Sequence, residues 1–382
     1  MAKPFGAICN LDCSYCYYLS KKEMYQASES FRMRDEVLEH YIRQYIDSQD
    51  TEEITFVWQG GEPTLLGLGF FEKALALQAR HGHGRKISNS LQTNGTNLTD
   101  EWCEFFHRHH FLIGVSIDGP RKLHDRHRLD KKQQPTFDLV VNGIALLKKH
   151  KVEFNTLTVV NRTNAAHPLD VYRFLKRLGS RYLQFIPIVE IDHQRSTPGR
   201  TVVTPESVEP RQFGEFLIRI FDEWVRHDVG QTFIQLFDNT LSRHMGLPST
   251  MCAFGETCGE AMAIEHNGDV FSCDHFVYPE YRLGNIMETP LIDLALSDRQ
   301  RKFGRMKKDG LPKYCRECRV LFACGGECPK HRFLKTHDGE EGLNYLCTAY
   351  QRFFHHTDPY MKTMAHLLHR GRPASDVMRL AN

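Results

Sequence analysis

Apolar residues along the first 230 positions follow two alternating patterns. Short apolar runs predict buried strands, and apolar residues repeated every three to four positions predict amphipathic helices. The predicted strands are a short one before residue 9 and 53–58, 87–92, 111–117, 153–160 and 182–188. The predicted helices are 37–46, 70–79, 100–109, 137–149, 169–178, 211–227 and 234–245. Strict alternation of this kind favours parallel βαβ units in an α/β fold.

About six such units are compatible with a partial (β/α)6 barrel and equally with a doubly wound open sheet. In either architecture the residues that follow the strands gather at one edge of the sheet. The segments after the predicted strands carry glycine, acidic and amide residues, for example at 60–63, 93–95 and 118–120. We therefore expect the functional site at this edge.

The pattern changes after residue 230. Eight cysteines lie between 252 and 347, and glycine-rich turns replace the alternation of strands and helices. Residues 265–269 predict a hairpin turn. A last helix is predicted over 349–369, packed against the rest of the chain. The predicted domains are 1–230 (the α/β domain), 231–350 (the cysteine-rich domain) and 351–382 (a C-terminal helix). A long polar loop is expected at 192–210.

Composition narrows the function classes. The 382 residues are 41% hydrophobic and 25% charged, as in ordinary globular proteins, and the net charge of +2 predicts no nucleic-acid partner. No apolar run approaches the ~18–20 residues of a membrane span, and no secretory signal is visible, so we predict a cytoplasmic protein with no membrane partner. In that reducing compartment, twelve cysteines favour metal binding over disulfides. Most of the 21 histidines are expected to be surface or packing residues.

Cys9, Cys13 and Cys16 have the spacing C-x3-C-x2-C. Three thiols are one short of a closed zinc site and of a four-thiolate iron–sulfur cluster. On a four-iron cluster they would leave one iron open to a small molecule. Spacing alone does not name the metal, and a structural zinc site with a distant fourth ligand explains it too.

The tyrosines at 15, 17 and 18 and the run Gly60-Gly61-Glu62-Pro63 distinguish these alternatives. With the cysteine loop, they make the sequence similar to the radical S-adenosylmethionine (SAM) enzymes. The resemblance implies that SAM chelates the open iron and that the fold is a partial (β/α)6 TIM-like barrel. It also implies the SAM contacts, which are Tyr15, Gly60, Glu62, Ser116, Arg128 and Val189.

The downstream cysteines number eight, enough for two four-thiolate clusters, although two zinc ribbons would fit as well. Their run C-x2-C-x5-C-x3-C and a distant cysteine resemble the SPASM extension of radical SAM peptide-modifying enzymes. By that resemblance one cluster is held by Cys252, Cys258, Cys273 and Cys328, and the other by Cys315, Cys318, Cys324 and Cys347. The chain would then bind three [4Fe–4S] clusters. Cys103 is left over and is predicted to be a small buried side chain.

The run Cys273-Asp274-His275-Phe276, with the segments at 92–95, 116–120 and 184–190, resembles one subgroup, the anaerobic sulfatase-maturating enzymes. The resemblance implies oxidation of a sulfatase cysteine or serine to Cα-formylglycine by a SAM-derived 5′-deoxyadenosyl radical. Asp274 would be the catalytic base, and an auxiliary cluster would take the second electron. The implied partners are an unfolded or nascent sulfatase polypeptide and a one-electron donor such as flavodoxin or ferredoxin.

Two alternatives stay open. Another SPASM maturase, forming thioether or carbon–carbon crosslinks, would share the barrel and both cysteine groups. Because Cys9 lies so early in the sequence, we expect no leader-peptide-binding module, which many such maturases carry. The second alternative is a non-enzymatic iron–sulfur electron carrier, which would have no need of an open iron. About twelve iron atoms per chain would distinguish three clusters from zinc sites.

Overall fold

The computed structural model describes residues 1–26, 30–197, 199–259 and 261–380. Contacts divide the chain into two units. The first unit comprises Met1–Ser116, Asp125–Phe154 and Gly259–Gly304, and the second comprises Ile117–His124, Asn155–Cys258 and Arg305–Asn382.

The strands of the described residues are, in chain order, β1 (Ala2–Lys3), β2 (Glu53–Trp58), β3 (Lys86–Thr93), β4 (Leu112–Ser116), β5 (Phe154–Val160), β6 (Tyr182–Pro187), β7 (Phe233–Ile234), β8 (Ala263–Glu265), β9 (Asp269–Phe271), β10 (Arg282–Asn285), β11 (Leu334–Lys335) and β12 (Glu341–Leu343).

The α-helices are α1 (Asp35–Asp47), α2 (Leu68–His81), α3 (Asp100–Arg108), α4 (Arg121–His124), α5 (Phe137–Lys149), α6 (Pro168–Leu178), α7 (Pro210–His227), α8 (Gln235–His244), α9 (Leu291–Ala295), α10 (Asp298–Asp309), α11 (Lys313–Arg316), α12 (Leu321–Cys324) and α13 (Cys347–His369). Short 3₁₀ turns join several of them.

In the first unit, β1, β2, β3 and β4 lie side by side in chain order and run parallel. On its other side, β1 pairs in parallel with β8, and β8, β9 and β10 continue antiparallel. The hairpin predicted at 265–269 is therefore confirmed as β8–β9. Strand β1 is only two residues long, yet it carries Lys3 between β2 and β8.

In the second unit, β5, β6 and β7 are parallel and again adjacent in chain order. A doubly wound sheet would reverse its strand order at a switch point, which neither unit does. The last helix packs on α7 and α8: the rings of Phe237 and Phe353 stack 5.5 Å apart, and Gly214 lets α13 approach closely at Ala349. A Cβ at Gly214 would lie 3.1 Å from the Ala349 Cα.

The predicted α/β class with a parallel sheet and a cysteine-rich C-terminal region is confirmed. Every strand and helix predicted from the pattern is present, with ends shifted by at most two residues. Helix α10 was not predicted, because its sequence is mostly charged and shows no clear apolar stripe. Within the described residues, no helix has the length and hydrophobicity needed to cross a bilayer.

Candidate cluster and cofactor site

The loop after β1 presents the three cysteines of the first motif. Cys9 Sγ accepts the backbone N–H of Leu11 at 3.3 Å and the side-chain amide of Asn94 at 3.6 Å. The Cys16 N–H donates to the Cys13 carbonyl at 3.0 Å, which closes a turn between these two ligands. Burial raises the pKa of the Cys9 thiol to about 11, so its thiolate needs a positive partner. Soft thiolates with N–H donors already aimed at them fit an iron–sulfur cluster.

The Gly60-Gly61 pair packs directly against this loop. The N–H of Gly61 donates to the Gly6 carbonyl, and that of Glu62 donates to the Ile8 carbonyl, both at 2.8 Å. A Cβ at Gly61 would lie 2.0 Å from the Ile8 carbonyl oxygen, and Gly60 has a φ of +124°. Both positions therefore require glycine to join the turn to the cysteine loop. The predicted contact of Gly60 with SAM stays a prediction.

Glu62 is completely buried, and four donors surround its carboxylate. Oε1 accepts from the Thr64 N–H (3.1 Å), the Thr64 hydroxyl (2.7 Å) and the Thr93 hydroxyl (2.8 Å), and Oε2 accepts from the Asn94 N–H (2.7 Å). Burial raises the pKa of this carboxyl, and the donors reduce the increase. Glu62 thus ties its own turn to the end of β3. Its predicted contact with the SAM amino group stays a prediction.

Asn94 links Glu62 to the first cysteine. Its Oδ1 accepts both the N–H and the hydroxyl of Thr96, at 3.0 and 2.7 Å. Since a backbone N–H can only donate, these contacts fix the amide so that Nδ2 faces Cys9 and the Asn10 side-chain oxygen. Sequence reasoning quoted Asn94 only as part of a motif. Its amide next to Cys9 was missed, because nothing in the spacing shows which atom faces the thiol.

Among the predicted SAM contacts, the structure brings Tyr15 and Arg128 together. The Arg128 guanidinium donates to the Tyr15 hydroxyl at 3.0 Å, and both side chains are buried. The basic run around Arg128 suggested a solvated loop as an alternative, but this arginine is not on the surface. Ser116 ends β4, and its hydroxyl accepts from Gln92 at 3.0 Å. Val189 is buried and follows β6 in the second unit.

Asp274 begins the 3₁₀ turn that follows Cys273. Its Oδ1 lies 2.5 Å from the Lys3 ammonium, and its Oδ2 accepts the Tyr17 hydroxyl at 2.9 Å. Burial by itself would raise the pKa of Asp274, but the Lys3 ammonium and His275 outweigh it and hold this pKa well below its usual range. The structure therefore presents an ionised carboxylate directly beside Cys273.

In the second unit, four of the predicted ligands line one pocket, and they are Cys315, Cys318, Cys324 and Cys347. Burial raises the pKa of Cys324 and of Cys347 to about 12. Four thiols around one space fit a four-thiolate metal site, since a bound metal would stabilise their ionised forms. They are also the four cysteines that the sequence analysis assigned together.

Three further cysteines surround Lys307, which is completely buried. Its ammonium donates to the carbonyls of Cys252 and Ala253 at 2.6 and 2.8 Å and interacts electrostatically with Cys258 and Cys328. The grouping of these three with Cys273 stays a prediction. Cys103, the leftover cysteine, is fully buried on α3, as expected.

Comparison with known proteins agrees with this arrangement. The radical SAM superfamily matches residues 4–175, and an iron–sulfur cluster-binding domain, SPASM, matches residues 252–319. Among curated relatives, the serine-type anaerobic sulfatase-maturating enzyme of Bacteroides thetaiotaomicron is 49% identical over 388 residues, covering 99% of this chain and 94% of the relative. The cysteine-type enzyme of Clostridium perfringens is 34% identical over 368 residues, covering 96% and 97%.

Among solved structures, native anSMEcpe with bound AdoMet and Cp18Cys peptide has a TM-score of 0.86 at 33% identity, covering 96% of this chain and 98% of that one. SuiB of Streptococcus suis, bound to precursor peptide SuiA, has a TM-score of 0.62 at 15% identity, which shows a shared fold. The near-complete coverage at 49% identity decides the family. This chain belongs to the anaerobic sulfatase-maturating enzymes, within the radical SAM superfamily.

Proposed function

We propose that this enzyme oxidises a serine or cysteine of a sulfatase polypeptide to Cα-formylglycine, with Asp274 as the catalytic base. The observation that carries the proposal is the position of the Asp274 carboxylate. It follows Cys273 directly and accepts a hydrogen bond from Tyr17, which itself follows Cys16. A base at this position lies close to one residue of each of two predicted cluster motifs.

The implied cofactors are SAM and three [4Fe–4S] clusters, held by Cys9, Cys13 and Cys16 and by the eight downstream cysteines. Once bound, they supply a 5′-deoxyadenosyl radical that removes a hydrogen atom from Cβ of the target side chain. The pocket lined by Cys315, Cys318, Cys324 and Cys347 supports one auxiliary site. An external one-electron donor such as flavodoxin or ferredoxin, and a cytoplasmic location, belong to the same proposal.

The protein's own residues have two roles. They support the site where SAM is expected to bind, and they remove a proton from the target side chain. The Tyr15–Arg128 pair and the turn at Gly60 support the cysteine loop, where SAM is expected to bind. Asp274 takes the hydroxyl or thiol proton of the target as its Cβ is oxidised, and an auxiliary cluster would accept the second electron. General-base assistance typically contributes ~10²–10⁴-fold to a rate.

We further propose that serine is the preferred target. The 49% identity with a serine-type enzyme, against 34% with a cysteine-type one, supports this choice. Two sulfatase-derived peptides that differ only in serine or cysteine at the target position test it. Under anaerobic conditions with SAM and reductant, we expect the serine peptide to give formylglycine with the larger kcat/KM by mass spectrometry. A larger value for the cysteine peptide would contradict the preference.

The same assay tests the base. Asp274→Asn keeps the side-chain shape but removes its basicity, so formylglycine formation should fall ~10²–10⁴-fold. SAM binding and iron content should stay at wild-type levels. Near-normal formylglycine yield with intact iron content would make Asp274 a turn residue only.

A further inference from the structure

Lys3 is a charged side chain in the interior of the first unit. Only 1% of it is exposed, and it lies on β1 between β2 and β8. Burying an ammonium costs several kcal/mol unless it is well paired, and an apolar residue of similar length would fill the same space more cheaply. A lysine at this position therefore needs a reason beyond packing.

The contacts of Lys3 supply that reason. Its ammonium lies 2.5 Å from Asp274 Oδ1 and 3.9 Å from the centre of the Tyr18 ring, so the cation has an anionic partner and an aromatic face. The neighbouring carboxylate, Glu265, lies opposite Lys3 in the register of β1 and β8, and it accepts a hydrogen bond from the Tyr18 hydroxyl. Glu265 thus has its own donor, and the closest partner of the ammonium is Asp274.

The two oxygens of Asp274 are held from two parts of the sequence. Lys3 holds Oδ1 from the central strand, and the Tyr17 hydroxyl holds Oδ2 from the cysteine loop. The Tyr17 ring in turn meets His275 edge to face at 5.6 Å. A carboxylate fixed at both oxygens cannot rotate about its side-chain bonds, and its orientation is set before a substrate arrives.

We propose that Lys3 is a positioning residue for the reaction: its ammonium fixes the plane of the Asp274 carboxylate for proton removal from the target side chain. This inference rests on the proposed role of Asp274. Lys3 itself touches neither substrate nor cofactor in this scheme. Its whole effect passes through Asp274, and that makes it testable by a double-mutant cycle.

The variants are Lys3→Met, Lys3→Arg, Asp274→Asn and the double variant Lys3→Met/Asp274→Asn. Lys21→Met is the matched control, because Lys21 is also buried and its ammonium lies 3.1 Å from the Tyr278 ring, outside the proposed machinery. Each reconstituted enzyme is assayed anaerobically for kcat and KM on the serine peptide, together with iron content, SAM binding and thermal unfolding.

We expect Lys3→Met to lower kcat for formylglycine at least tenfold, with the peptide KM and SAM binding unchanged. Lys3→Arg keeps a cation and should recover much of that loss, and Lys21→Met should stay near wild type. In the Asp274→Asn background, Lys3→Met should cause no further loss. If Lys3→Met alone does not fold because it buries an unpaired carboxylate, the double variant carries no such charge. The kcat of the double variant is then compared with that of Asp274→Asn. An equal kcat agrees with the inference, and a lower kcat contradicts it.

Two results would overturn the inference. One is a Lys3→Met kcat within twofold of wild type, and the other is an equal loss from Lys3→Met with and without Asp274. Failure of the proposed base is recognised separately, since Asp274→Asn would then itself be near wild type. A low Asp274→Asn rate combined with a normal Lys3→Met rate would remove only the role of Lys3.

Discussion

Two carboxylates in the first unit are shielded from solvent in opposite ways. Glu62 is surrounded by four neutral donors from its own turn and from the end of β3, and burial raises its pKa. Asp274 has a single hydroxyl donor and a buried ammonium, and its pKa is held low although burial opposes ionisation. Each carboxylate belongs to a sequence motif that predicts a functional site.

The difference separates a structural carboxylate from a reactive one. Glu62 accepts four hydrogen bonds, which hold its own turn against the end of β3 beside the cysteine loop, so its replacement should act first on stability. Asp274 is paired with the Lys3 ammonium and the Tyr17 hydroxyl, and about 17% of its side chain is exposed. Its replacement should act first on the reaction. Three experiments test this distinction.

The largest effect is expected from the loop that both carboxylates adjoin. Replacing Cys9, Cys13 and Cys16 together by alanine should leave a folded protein that no longer cleaves SAM, since these ligands alone present an open iron. 5′-Deoxyadenosine measured by chromatography should fall to background while circular dichroism stays at the wild-type level. Continued 5′-deoxyadenosine formation by the triple variant would place SAM cleavage elsewhere, and neither carboxylate would then adjoin the reaction.

The next effect concerns Glu62. In Glu62→Gln, an amide NH₂ replaces one acceptor oxygen and faces buried donors from Thr64, Thr93 or Asn94. Leaving a buried donor unpaired costs about 1–3 kcal/mol, so the free energy of unfolding should fall by about that amount. Asp274→Asn should also lower it, because the buried Lys3 ammonium loses its negative partner, but unlike Glu62→Gln it should in addition remove most of the formylglycine formation.

Denaturant unfolding measures the stability of both amide variants, and the formylglycine assay distinguishes them. Glu104→Gln, at an exposed position on α3, is the control and should unfold like the wild type. If Glu62→Gln kept full stability but lost SAM binding, Glu62 would be a cofactor ligand after all, as the family resemblance implies.

The sequence predicted much of this arrangement, and the reasons for its success and failure are physical. Strands and helices follow from hydrophobic periodicity, and residue spacing located the cysteine loop and the turn at Gly60. The family resemblance grouped Cys315, Cys318, Cys324 and Cys347, and these four cysteines line one pocket.

The partners of the two carboxylates could not be predicted in the same way. Thr93 and Asn94 reach Glu62 from a different strand, and Lys3 reaches Asp274 from the start of the chain through a strand of only two residues. Such contacts are set by strand order and register, which hydrophobic patterns along one segment do not contain. For the same reason Arg128 looked like one member of a solvated basic run, although it is buried against Tyr15.

The smallest effect is a pH dependence of stability, and its sign distinguishes Glu62 from an ion-paired carboxylate. Burial raises the pKa of Glu62 above its ordinary value of 4.5, so between 4.5 and the folded-state pKa the folded chain binds more protons than the unfolded chain. The contribution of Glu62 to the free energy of unfolding therefore falls as pH rises through that range and is constant above it. Glu62→Gln removes this titration.

Denaturant unfolding from pH 5 to pH 8 measures the effect as a difference, the free energy of unfolding of the wild type minus that of Glu62→Gln. This difference should be largest at the acidic end, with a slope of at most about 1.4 kcal/mol per pH unit. A difference that grew with pH would mean that the folded-state pKa of Glu62 is lowered, as an ion pair would lower it, and the contrast with Asp274 would fail.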